Sequence, residues 1–312
     1  MIATLTLNPS IDQHLVVPAL LKDDTNRAVS VTSFPGGKGV NVSKVVRELG
    51  GPTWAYGLVA GWTGKFWESL VRKLDIPFST LFVQGETRIN TILTDVKDRT
   101  QTRISALGPK VSTRDIRRFS RKLLASRPRP FLWALGGSLP VGAAPSAYKN
   151  VLTALQKEGV PCILDTDGEA LKKGIEAKPF LIKPNEHEMG RLAGHSLKTV
   201  PDYLKAAKAI VKRGVRVVVV SLAAKGALFV TEKEAFHVLV PDVPVRSKVG
   251  AGDSLIGGFA LGLYRRMPLV QAACLGAAAS TSAVMREAPR LCWKTDIAGL
   301  LPRIRVRWVA SC

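Results

Sequence analysis

The chain has 312 residues, with 45 Lys plus Arg against 24 Asp plus Glu and a formal net charge of +21 at pH 7. Hydrophobic residues make up 46% of it, close to the globular norm, which excludes wholesale disorder and leaves ample chain for a core. The N-terminal MIATLTLNPSID lacks the basic and apolar regions of a secretory signal. Cys162, Cys274, Cys292 and Cys312 are too dispersed for a disulfide framework or a cysteine zinc site, so a reducing cytoplasm is expected.

Taken in chain order, Ile2–Leu7 reads as a short apolar strand and Val40–Leu49 as a helix ending at Gly50–Gly51. Residues 110–129 hold eight basic residues against one acid, Asp115. That run is either a patch for nucleic acid or the solvated face of an amphipathic helix. Ile116, Phe119, Leu123 and Leu124 recur at helical spacing and no stacking aromatics intervene, so the helix is the expected reading. Phe131–Leu135 reads as a strand, Ser146–Lys157 as a helix, Cys162–Leu164 and Phe180–Ile182 as strands. Asp202–Lys212 reads as a helix and Val215–Val220 as a β-branched strand. Met267–Met285 carries no charge, but its Ala, Gly and hydroxyl content suits a buried helix rather than a membrane span.

Strands alternating with helices predict a mostly parallel sheet covered on both faces. Two regions break the rhythm. Gln13–Val17 with Ala28–Phe34, and Thr87–Asp95 with Thr102–Ala106, read as extended pairs with no useful helix between them. The expectation is one domain, 1–312, with a strand lid inserted near 12–34 and 87–106.

Two glycine-rich segments carry chemistry. In PGGKGVNVSKVVRELG (residues 35–50), Gly36, Gly37 and Gly39 expose backbone amides just before a helix, and Lys38 and Asn41 add polar groups. It is not a Walker A loop. Alone it reads either as an anion cradle or as a tight turn into a helix. In VGAGDSLIGGFALGLY (residues 249–264), Gly250, Ala251 and Gly252 lead into an apolar helix with Asp253 in its first turn. Asp253 is either a base beside an anion hole or a carboxylate complementing the helix dipole.

Together the two segments resemble the signatures of the PfkB (ribokinase-like) carbohydrate kinases. TLNPSID at 6–12, GGSLP at 136–140, KPNEHE at 183–188 and VVSLAAKGAL at 219–228 are similar to that family's internal landmarks, in the expected order. The resemblance implies a three-layer α/β/α ribokinase-like sandwich with a β-sheet lid, ATP as donor and Mg²⁺ as cofactor. By position it implies Asp253 as catalytic base and Gly250, Ala251 and Gly252 as anion hole. Asp12, Gly37 and Asn41 match sugar-hydroxyl positions. Lys38, Arg27, Arg88 and Ser138 match or neighbour positions that hold the phosphate already on the substrate. Lys183, Asn185 and Glu188 match the nucleotide and magnesium environment, with Glu188 reaching the metal through water, and Ser221 and Gly226 match the adenosine-side loop. His187 is a bystander, with no second His at metal-ligand spacing.

Three positions depart from the pattern. Ala223 stands where the family usually has Gly, Arg103 where this branch often has an acid, and Lys248 where a small hydroxyl residue is usual. Within the family, GGKGVN with TLNPSID resembles the 1-phosphofructokinase and tagatose-6-phosphate kinase branch. The expected reaction is phosphorylation of a ketohexose phosphate, foremost D-fructose 1-phosphate, with tagatose 6-phosphate or fructose 6-phosphate as alternatives. A homodimer through the lids is expected. The alternative from another class is a basic nucleic-acid-binding protein on an inactive kinase scaffold.

Overall fold

The computed structural model describes residues 1–287 and 290–311, so Cys312 lies outside the described residues. In chain order the elements that position the site begin with β1 (Ile2–Thr6), β2 (Ser10–Val17), β3 (Ser30–Gly36), α1 (Lys38–Glu48), β4 (Thr53–Ala60) and α2 (Gly61–Arg72). There follow β5 (Phe78–Val83), β6 (Arg88–Asp95), β7 (Thr100–Ile104), α3 (Thr113–Leu124), β8 (Leu132–Gly136), α4 (Ala147–Lys157), β9 (Cys162–Asp165) and α5 (Gly168–Ile175). The remainder is β10 (Leu181–Ile182), α6 (Glu186–Ala193), α7 (Val200–Lys212), β11 (Val217–Ser221), β12 (Ala227–Val230), β13 (Glu234–Leu239), α8 (Ala251–Tyr264), α9 (Leu269–Val284), α10 (Lys294–Leu300) and β14 (Arg305–Ser311).

Ten strands form the main sheet in the order β14-β13-β12-β11-β10-β9-β8-β1-β4-β5. The pairings from β11 through to β5 are parallel, and β11 to β14 run antiparallel. Alternate residues feed two cores, as strand periodicity requires. Val218 and Val220 of β11 pack on one face with residues of α3, α4 and α7, whereas Val217 and Val219 pack on the other with residues of α1, α8 and α9. The expected three-layer α/β/α sandwich is therefore present.

The two irregular regions form a separate sheet of four strands, ordered β3-β2-β6-β7. Each expected pair is antiparallel, and β2 joins β6 in parallel. Register places Asp12 opposite Asn90, and Ile92 opposite Arg103. Because strand side chains alternate, Asp12, Arg88, Asn90 and Arg103 share one face, and Val31, Ile89 and Ile104 the other.

The basic run becomes α3, opened by a Ser112–Asp115 capping box, with Ile116, Phe119 and Leu123 buried and Leu124 half-buried. The uncharged stretch becomes α9, whose side chains are mostly buried, and no helix among the described residues is long and apolar enough to cross a membrane.

Candidate active site

The C-terminal ends of β1, β8 and β9 meet the N-termini of α1 and α8. Gly37 caps α1 at φ 125° and Gly250 caps α8 at φ 79°, backbone values that a side chain would strain. The entry to α1 is held twice from outside: Trp67 Nε1 donates to the Gly36 carbonyl, and the Val40 amide donates to Thr6 Oγ1. The first-turn amides of α8 have no intrahelical acceptor, so Ala251 and Gly252 present free donors beside Asp253.

Asp253 is buried and accepts a hydrogen bond at Oδ2 from Asn41 Nδ2 at 2.8 Å. Burial pushes its carboxyl above the usual aspartate range, and nearby Asp165 adds to this, while Lys38, Lys183 and the Asn41 bond offset only part. A carboxylate raised in this way is a stronger proton acceptor than a solvated one. Two motifs more than 200 residues apart in sequence thus meet through one hydrogen bond.

Asp165, at the end of β9, joins the two lysines. Lys38 Nζ donates to Asp165 Oδ1 at 2.9 Å, and Lys183 Nζ stands 3.6 Å from Oδ2. Burial alone would raise the Asp165 carboxyl, but the ammonium groups of Lys183 and Lys38 outweigh it and hold the group below the usual range. Burial works against the Lys38 charge, yet Asp165 and Asp253 together hold its ammonium above the usual lysine range. Sequence reasoning missed Asp165, because nothing local marks it; the sheet order alone brings it between the lysines.

The small sheet supplies a second polar cluster. Asp12 Oδ1 accepts from Ser10 Oγ and from Asn90 Nδ2, each at 2.8 Å, and Arg103 Nη2 stands 3.9 Å away. Arg88 Nη2 donates to the Asn8 carbonyl at 3.0 Å, while its buried Nε has no partner. Burial lowers the Arg88 pKa, Asp12 opposes this, and the like charge of Arg103 lowers it further. Arg103, a departure by sequence, therefore joins the cluster. Asn8 Nδ2 reaches Ser138 Oγ at 3.3 Å, tying the GGSLP loop to the same end. Arg27 lies exposed between β2 and β3, and no hydrogen bond or ion pair among the described residues links it to the others.

Asn185 and Glu188 satisfy each other as the capping box of α6, which has a structural duty of its own. Ser221 ends β11 beside Asn185, and Gly226 follows at φ 86°, where an added Cβ would stand 2.0 Å from the Val238 carbonyl oxygen. Ala223 adopts φ 51°, the left-handed conformation that explains the family's usual glycine there. His187 and Lys248 are exposed. A cavity of about 850 Å³ opens between α5, α6 and α7 and is lined by Glu188 and the neighbouring His187, but by none of the other candidate site residues.

A profile of the pfkB family carbohydrate kinases matches residues 5–296. The 1-phosphofructokinase of Bacillus subtilis (strain 168) is 33% identical over 306 residues, covering 98% of this chain and 99% of that protein. The ATP-dependent 6-phosphofructokinase isozyme 2 of Escherichia coli (strain K12) is 33% identical over 95% of this chain and 96% of its own length. The structure of the Escherichia coli phosphofructokinase-2 in complex with potassium superposes with a TM-score of 0.92 at 32% identity, covering 96% and 98% of the two chains. The chain belongs to the pfkB family of carbohydrate kinases.

Proposed function

We propose that this pfkB family member transfers the γ-phosphoryl group of ATP to O6 of D-fructose 1-phosphate, giving fructose 1,6-bisphosphate and ADP. The observation that carries the reading is the meeting of Asn41 with Asp253 at the free amides of α8, with Arg88 and Arg103 gathered around Asp12 at the other end. Asp253 takes the O6 proton as O6 bonds to the γ-phosphorus and the bond to the ADP oxygen breaks. The amides of Ala251 and Gly252, with Gly250 turning the chain, hold the developing charge. Lys38, expected by resemblance to hold the phosphate already on the substrate, instead bonds Asp165 near Asp253, which supports a place for it with Lys183 beside the transferring phosphates. Asp12, Asn41 and the Gly37 turn orient sugar hydroxyls. Arg88, Arg103, Ser138 and Arg27 hold the existing phosphate, whose charge near pH 7 suits paired guanidinium donors. Ser221 and Gly226 shape the adenosine side.

The residues present suit a magnesium–nucleotide complex. Asp165 Oδ2 is buried and accepts no hydrogen bond, and an added Cβ at Gly252 would stand 2.8 Å from Lys183 Nζ, so the backbone there lies close to a cation. Among the described residues no cluster of three His, Cys, Asp or Glu could hold a metal ion by itself, which fits an ion carried mainly by phosphate oxygens and water. Glu188 would hold Mg²⁺ through water, and the ion supplies neutralisation of phosphate charge when bound.

A cytoplasmic location follows from substrates of this kind. The outer face of the small sheet exposes Val31, Ile89 and Ile104, and β7 is exposed throughout. This supports a homodimer through the lids, since open apolar edges are normally covered; a monomer by light scattering at micromolar concentration would reject it. The substrate assignment is tested by ADP release across fructose 1-phosphate, fructose 6-phosphate, tagatose 6-phosphate and free fructose. Fructose 1-phosphate should have the highest kcat/KM, and free fructose should be poor because its arginine contacts are lost. A tenfold advantage for either 6-phosphate, about 1.4 kcal/mol, rejects the substrate and leaves the kinase. No turnover of any sugar, with salt-sensitive nucleic-acid binding, supports the alternative class.

A further inference from the structure

Lys44 lies on α1 one turn after Asn41, on the same face of the helix. Its Nζ donates to Asn41 Oδ1 at 3.2 Å, and Asn41 Nδ2 donates to Asp253 Oδ2 at 2.8 Å. An amide between an ammonium and a carboxylate has one favourable orientation. Turned over, it would set its carbonyl against the carboxylate and its NH₂ against the ammonium. Without the ammonium, that orientation loses half of what fixes it.

We propose that Lys44 is a positioning residue for phosphoryl transfer, orienting the Asn41 amide so that its NH₂ group holds the Asp253 carboxylate in place. The proposal rests on the reading of Asp253 as the base. The charged groups acting on Lys44 are Asp12 on β2 and Asp253 on α8, both anionic. Burial nevertheless outweighs them and lowers the Lys44 pKa to about 8. Its ammonium therefore loses its proton within the range where enzymes are ordinarily assayed. A neutral amine is a weaker donor and no longer opposes the charge of the two carboxylates.

Steady-state kinetics across roughly pH 5 to 10, a range that spans both groups, test this on the full chain. The substrate is ATP with whichever sugar phosphate turns over fastest, so the outcome does not depend on fructose 1-phosphate. Wild type should show a partial alkaline decline of kcat/KM, which reports the free enzyme, with a midpoint at about 8. Lys44→Arg, which keeps a donor and a charge that does not titrate, should retain most of kcat and lose that decline. Lys44→Met should lower kcat about tenfold, the worth of one charge-assisted hydrogen bond, with both KM values nearly unchanged and the acid limb moved to higher pH. An unchanged kcat and acid limb in Lys44→Met overturns the proposal. So does a rise in the sugar-phosphate KM at constant kcat, which would make Lys44 a substrate contact. An alkaline decline that persists in Lys44→Arg overturns it independently of how well the Met variant folds. Asp253→Asn is assayed alongside: if it is active, the base assignment and the Lys44 role both fall, and if it is inactive while Lys44→Met is normal, only the Lys44 role falls.

Discussion

Replacing Asp165 by Asn should destabilise the fold and do so in a pH-dependent way. Asp165 is 3% exposed and Lys183 6%, while Lys38 is 34% exposed. Removing one partner of a buried ion pair costs about 3–5 kcal/mol, because the remaining charge is left without compensation. Two features reduce that figure here. Asn keeps one acceptor for Lys38, and water reaches part of Lys38 already. The larger share falls on Lys183, giving an expected loss of about 2–3 kcal/mol. For a chain of this size that corresponds to a fall in Tm of roughly 5 °C. The Asp165 carboxyl is held below its unfolded pKa, so its contribution is complete above that value and is lost as pH falls through the folded pKa. Thermal unfolding of wild type and Asp165→Asn should show the full gap at neutral pH and a narrowing gap below about pH 4. A variant melting within about 1 °C of wild type at neutral pH, well inside the expected shift, would refute the clamp. So would a gap that does not change with pH.

Other consequences follow from the same geometry. Asp253→Asn should lower kcat by about 10²–10⁴-fold and leave Tm equal or higher. Its carboxyl has a raised folded pKa, so at neutral pH the buried charge costs stability that the amide avoids; a large fall in Tm would contradict this. In wild type the acid limb of kcat should lie above the usual aspartate value of about 3.9, read from a pH–rate profile; a limb below that value would separate it from Asp253. Ala223→Gly should relieve a left-handed alanine and stabilise by about 1 kcal/mol, seen as a rise in Tm of about 2 °C. The lysine at position 248, ahead of the Gly250 turn, should make activity independent of potassium, although the related phosphofructokinase-2 has been solved with that ion. Strong activation in potassium over sodium and tetramethylammonium at fixed ionic strength would contradict it.

Much of the site was legible because helix N-termini write their chemistry into short segments. Gly37 to Asn41 and Gly250 to Asp253 each combine a glycine cap at positive φ, backbone amides at a helix start and a polar side chain within five residues. The strands β1, β8, β9 and β11 were legible as apolar runs, and α3 as an amphipathic period. Asp165 was not legible, since its partners come from the order of β8, β9 and β10 and from a strand end with no motif. The place of Arg103 in the cluster was not legible, because only the β6–β7 register brings it to the face of Asp12 and Arg88. Helix α2 was missed for a different reason. Its deeply buried side chains, Trp67, Leu70 and Val71, fall in its second half, too few for a periodic signal. The antiparallel extension β12 to β14 was likewise missed, because β14 pairs with β13 only after a long excursion through α8, α9 and α10.

The most direct test of the central claim is a competition. Fructose 1-phosphate, fructose 6-phosphate and tagatose 6-phosphate are mixed at equal concentrations below their KM values with limiting MgATP, and the remaining monophosphates are followed by ³¹P NMR. Under these conditions the rates of disappearance report relative kcat/KM, and hence relative transition-state binding. Preferential loss of the fructose 1-phosphate signal, with fructose 1,6-bisphosphate appearing in step, is the result predicted from Asp253 at one end of the site and Arg88 with Arg103 at the other. Preferential loss of either 6-phosphate would contradict it.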